Sequence, residues 1–69
     1  MLSEKDLVEQ WTELKTLVEA LEFDVLKNAR GTAAAGVRAR KGLRDLRARA
    51  YTLVKATVER DKLLKSEKK

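Results

Sequence analysis

Asn28-Ala29-Arg30-Gly31-Thr32 interrupts an otherwise unbroken helical pattern in a chain of 69 residues. Asn28 can end a helix, Gly31 is free to take positive φ, and Thr32 can cap a helix that follows. So short a connection makes the two flanking helices antiparallel neighbours. The glycine also argues against the alternative of one continuous helix. These five residues predict an all-α fold, an antiparallel helical hairpin of two long helices. The expected bounds are helix one at about 3–28, a turn at 29–32 and helix two at about 33–65, in a single domain over 1–69.

Upstream of the turn, Ser3 is a good N-cap, and Glu4 and Asp6 place acids where the helix dipole favours them. The apolar positions Leu7, Trp11, Leu14, Val18, Leu21 and Val25 then alternate steps of four and three, the spacing of a coiled-coil seam. Val8, Leu17 and Leu26 widen the stripe beyond what one neighbouring helix covers. Phe23 falls outside it. Downstream, the expected seam is Gly36, Ala39, Leu43, Leu46, Ala50, Leu53, Thr57 and Leu64, with Val54 alongside. Gly36 and Gly42 each weaken the helix by about 1 kcal/mol relative to alanine, which calls for a packing explanation. Ser66-Glu67-Lys68-Lys69 should fray into a short basic tail.

One small core is marginal at this length, and no cysteine is present to staple it. Two helices cover only one side of each stripe, leaving Trp11 and Leu17 half wet. Two hairpins packed as a coiled-coil-like four-helix bundle remove the problem. The expected state is a homodimer or a higher homo-oligomer, with Leu7, Trp11, Leu14, Val18, Leu21, Val25, Leu43, Leu46 and Leu53 in the interface.

Charge is unevenly placed. The formal net charge of +5 divides into −4 over residues 1–29 and +9 over residues 30–69. From Arg30 to Arg49 there are seven bases, six of them arginine, against the single acid Asp45. On a helical wheel Arg44, Arg47, Tyr51, Lys55, Lys62 and Lys65 fall within about 60° of Arg40, roughly 100° from the seam. Lys41 borders this face; Arg38 and Arg49 lie farther round. Arginine can grip a phosphate with two donors, and Tyr51 can hydrogen-bond or stack on a nucleic acid. Most charge runs are solvated faces, but the acids of helix one are too few to neutralise this one. Helix two also opens Ala33-Ala34-Ala35 with no acid, so its N-terminal N–H groups beside Arg30 favour an anion.

Histidine and cysteine are absent, which excludes imidazole and thiolate metal sites and the catalysis that uses them. The acids lie on solvated helical faces with no pocket to perturb them. No enzyme activity, cofactor, metal or small-molecule substrate is expected. No apolar run of about 18 residues occurs, and the first six residues carry charge rather than a leader's apolar core. A cytoplasmic protein without membrane contact is expected.

Arg30-Gly31-Thr32-Ala33-Ala34-Ala35-Gly36-Val37-Arg38-Ala39-Arg40-Lys41, followed by Leu43, Leu46 and Tyr51, resembles the bacterial linker-histone-like nucleoid proteins best known from the chlamydiae. In that family a glycine, two polar residues and paired alanines precede closely spaced bases, and a helix with regular leucines follows. The similarity covers about residues 21–60. It implies double-stranded DNA as partner, with little sequence preference, and compaction of the nucleoid. Its site residues would be Arg30, Arg38, Arg40, Lys41, Arg44 and Arg47; the wheel adds Tyr51 and Lys55, and the turn adds Thr32. Chlamydial members carry a long Lys/Ala-rich C-terminal tail that this sequence lacks, so weaker binding, or binding multiplied by oligomerisation, is expected. Two other readings fit the same residues: an RNA-binding helical-hairpin dimer, and a structural or adaptor coiled coil for an acidic protein.

Overall fold

The computed structural model describes residues 3–67 and consists of α1, Glu4–Ala29, packed along α2, Ala33–Glu67. The hairpin measures 57 × 15 × 15 Å with a radius of gyration of 16.2 Å. A compact chain of this length would have a radius near 11 Å. The molecule is a rod, and most of its side chains border solvent.

α1 starts at a complete capping box. Ser3 is extended, its hydroxyl oxygen accepts the Asp6 N–H at 3.2 Å, and the Asp6 carboxylate accepts the Ser3 N–H at 3.1 Å and the Ser3 hydroxyl at 3.0 Å. The Ser3 backbone bond, then its hydroxyl, lowers the Asp6 carboxyl below the usual aspartate value. A folded-state pKa that is depressed means stability present at neutral pH and lost as the carboxylate takes up a proton. Acidification from about pH 4 downward should therefore fray the first turn before the rest of α1 melts. Amide exchange at residues 4–7, compared with residues 17–24, measures this directly.

The turn is built from backbone bonds, joined by the Asn28 side-chain amide, which donates to the Thr32 carbonyl at 3.4 Å. α1 runs one residue past Asn28, and Arg30 is its C-cap. The Thr32 N–H reaches the Lys27 carbonyl at 3.0 Å and the Gly31 N–H reaches that of Asn28 at 2.9 Å, the paired bonds of a Schellman ending. Gly31 closes it at φ +105°, where a side chain is strained. Thr32 occupies the cap position of α2 through its carbonyl, which accepts the Gly36 N–H at 3.3 Å. Nothing lies near a methyl group built on Gly31, so the cost of Gly31→Ala is conformational alone. It should destabilise the hairpin by about 1–2 kcal/mol in urea unfolding, with no change in m-value.

The contact between the helices has a different phase from the expected seam. On α1 the residues turned toward α2 are Leu7, Gln10, Leu14, Leu17, Leu21 and Asp24, all at least partly covered. On α2 they are Ala35, Gly36, Ala39, Gly42, Leu46, Ala50, Leu53, Ala56, Arg60 and Leu63. Trp11, Val18 and Val25 stay 52, 50 and 43% exposed, and Leu43 46%. Thr57, Val54 and Leu64 are exposed too. In α1 one column of the expected seam was right (Leu7, Leu14, Leu21) and the other (Trp11, Val18, Val25) lies on the other flank; in α2 Gly36, Ala39, Leu46, Ala50 and Leu53 were right, and Leu43, Thr57 and Leu64 lie outside the contact.

Small residues explain the choice. A methyl group on Gly42 would collide with the Leu21 side chain, and one on Gly36 with the Asn28 amide. Gly42 is thus the notch that seats Leu21, the most buried large side chain at 8% exposure. The buried set among the described residues is otherwise Ala35, Gly36, Ala39 and Ala56. Each buried methyl contributes about 0.8 kcal/mol and a leucine about 2, so the lone hairpin has little apolar burial to offset chain entropy. α2 continues through Ser66 and Glu67, where fraying was expected; Lys68 and Lys69 lie outside the described residues.

Candidate nucleic-acid interface

The two flanks of the rod are chemically distinct. On one, Asp24 meets Arg38 at 3.0 Å, and Arg49 bridges Asp45 at 3.3 Å and Glu13 at 3.5 Å. Gln10, Thr16 and Thr52 complete this polar flank. On the other, Val18, Leu21, Val25, Leu26, Leu43 and Leu46 line an apolar groove of about 360 Å³ rimmed by Glu19 and Glu22. The ion pairs are surface ones, worth about 0–1 kcal/mol each, and serve more to fix charge than to hold the fold.

The outer face of α2 and the turn carry the remaining cations. Arg30, Arg40, Lys41, Arg44 and Arg47 are exposed, and among the described residues none of them forms an ion pair. Their spacing along a helix that rises 1.5 Å per residue spreads Arg40, Arg44 and Arg47 over about 10 Å of one ridge. Tyr51 is 66% exposed, with the Lys55 ammonium 5.4 Å from its ring centre. That contact holds the two side chains together on the ridge, a pairing that wheel position alone does not reveal. Thr32 is exposed at the head of α2.

The structure therefore brings most of the expected set to one surface and separates one member. Arg38 turns toward Asp24 on the polar flank. Residues 24 and 38 are nearly equidistant from the turn, so the hairpin register could have announced the pair. Arg49 is held in the same way by Glu13. The acids of helix one thus engage two arginines and leave the ridge open.

No described helix is long and apolar enough to cross a membrane. What these features define is a small cationic helical hairpin with one open basic ridge and one open apolar flank. The family model of the histone H1-like protein Hc1 matches residues 8–68, and the chain belongs to that family of histone-like proteins. Comparison with curated proteins and with solved structures gives no match.

Proposed function

We propose that this protein is a histone-like DNA-binding protein of the nucleoid that grips duplex phosphates with the α2 ridge and compacts the DNA it covers. The observation that carries the reading is that Arg30, Arg40, Lys41, Arg44 and Arg47 stay unpaired although seven acids stand on the neighbouring segment. Membership of the Hc1 family supports it. Tyr51 and Lys55 extend the ridge, and Thr32 and Arg30 offer donors at its end. The ridge is convex and carries no recognition element shaped to read base edges, so contacts are to the backbone. The protein acts without chemistry, in the cytoplasm, as a homodimer or higher oligomer joined through Trp11, Val18, Val25 and Leu43.

Fluorescence anisotropy with short duplexes of unrelated sequence tests this. Affinities should agree within a few-fold across sequences at one salt concentration. Structured RNA should compete poorly against duplex DNA. Preference for RNA would move the ridge to an RNA ligand. Absence of binding to either polyanion, with retention of an acidic protein partner after nuclease treatment, would assign the chain to an adaptor role.

A further inference from the structure

The apolar flank decides how two hairpins meet, and the meeting decides what the ridge can do to DNA. The whole side of the rod, 57 Å by 15 Å, is about 850 Å², so a second copy must use nearly its full length to reach the roughly 800 Å² per partner of a stable interface. A second copy related by a two-fold axis can sit on it in two ways. With the axis along the rod, each α1 lies against the partner's α2 and both turns are at one end. With the axis across the rod, α1 lies on α1 and α2 on α2.

Charge separates the two. The first arrangement sets the −4 segment beside the +9 segment at both contacts; the second sets +9 beside +9. Shape agrees with charge. Within the hairpin Leu21 is level with Gly42, Asp24 with Arg38 and Glu13 with Arg49. At equal heights across the interface, Trp11 then covers the small Ala50 of the second copy, and Val18 meets Leu43, two half-exposed apolar side chains. Glu22, on the groove rim without an ion pair, comes level with Arg40, which also has none. Lys15 comes level with Arg47, leaving that arginine for phosphate.

Resting on the DNA-binding reading, we infer that the hairpin pairs α1 against α2 of a second copy, and that the dimer bridges two DNA duplexes. In this bundle the two α2 helices are diagonal. With neighbouring axes 8–10 Å apart, they stand on the order of 14 Å from each other and their ridges face opposite directions. One duplex cannot lie along both. The across-rod arrangement would place the ridges side by side on one surface and coat a single duplex.

Two measurements test this on the full chain. The sequence has no cysteine, so Glu22→Cys and Arg40→Cys can be made separately, mixed and oxidised. The expected product is the mixed disulfide between the two variants; its absence after complete oxidation of the mixture overturns the α1-on-α2 pairing. Next, an immobilised duplex should capture a labelled second duplex through the protein. Val18→Glu with Val25→Glu, both half exposed in the lone hairpin, should keep the circular dichroism of the helices and bind the immobilised duplex while second-duplex capture falls to background. Wild-type protein that loads the first duplex but captures no second one overturns bridging and leaves DNA binding standing. Failure to load the first duplex overturns the DNA-binding reading itself, whatever the disulfides show.

Discussion

Raising salt from 50 to 200 mM should weaken duplex binding by roughly 250- to 1,000-fold per protomer, a slope of log K against log salt of about −4 to −5. That slope corresponds to four to six phosphates contacted, which is what Arg30, Lys41, Arg44, Arg47 and Lys55 can supply while Arg40 stands level with Glu22 of the second copy. The double variant Arg44→Ala with Arg47→Ala should lower the slope by about 2 and weaken binding on all sequences alike. Both residues lie outside the apolar flank, so helix content should not change. Arg38→Ala with Arg49→Ala is the contrasting pair. These two arginines carry the same formal charge, but Asp24, Glu13 and Asp45 already hold them. Their loss should change the slope far less, because a guanidinium with a carboxylate beside it releases fewer counterions from DNA. Equal effects of the two doubles would mean that only net charge matters and that the ridge is no site. A loss confined to one sequence would instead point to base readout.

The fold was legible from a few residues, and the seam was not. Asn28 to Thr32 carried the hairpin, and positive φ at Gly31 is the conformation that the turn needs. Apolar periodicity gave the helices but chose the wrong second column in α1 and misplaced Leu43, Thr57 and Leu64 in α2. The covered column of α1 holds Gln10 and Asp24, and that of α2 holds Ala35, Gly42 and Ala56. Polar and small side chains do not register as a seam in a hydrophobicity pattern, whereas Trp11, Val18, Val25 and Leu43 do. The sequence thus marked most strongly the surface that the lone hairpin leaves open. The ridge was legible because like-charged side chains on one helix need no knowledge of the neighbour. The diversion of Arg38 was hidden because it depends on register across the turn.

The seam can be tested where its fit is tightest. Leu21→Ala should destabilise the protein by about 2–5 kcal/mol, because it empties the notch over Gly42 and the surroundings of a two-helix rod can only partly close. For 69 residues total stability is of order 3–10 kcal/mol, so the melting midpoint at fixed protein concentration should fall by 10 °C or more. Gly42→Ala probes the other half of the contact. Alanine adds about 1 kcal/mol of helix propensity, but its methyl would overlap Leu21 Cδ2 and stand 3.1 Å from Cγ and 3.4 Å from Cδ1. Leu21 is buried, so its displacement costs more than the propensity gain, and the single variant should be less stable than wild type. In the Leu21→Ala background the obstacle is gone and a methyl at 42 fills part of the void. There the same substitution should stabilise. A reversal of sign between the two backgrounds, measured as a coupling energy of at least about 1 kcal/mol, locates these two side chains in one contact. Additive effects would place Leu21 and Gly42 apart, and the helices would then meet on the column of Trp11, Val18 and Val25.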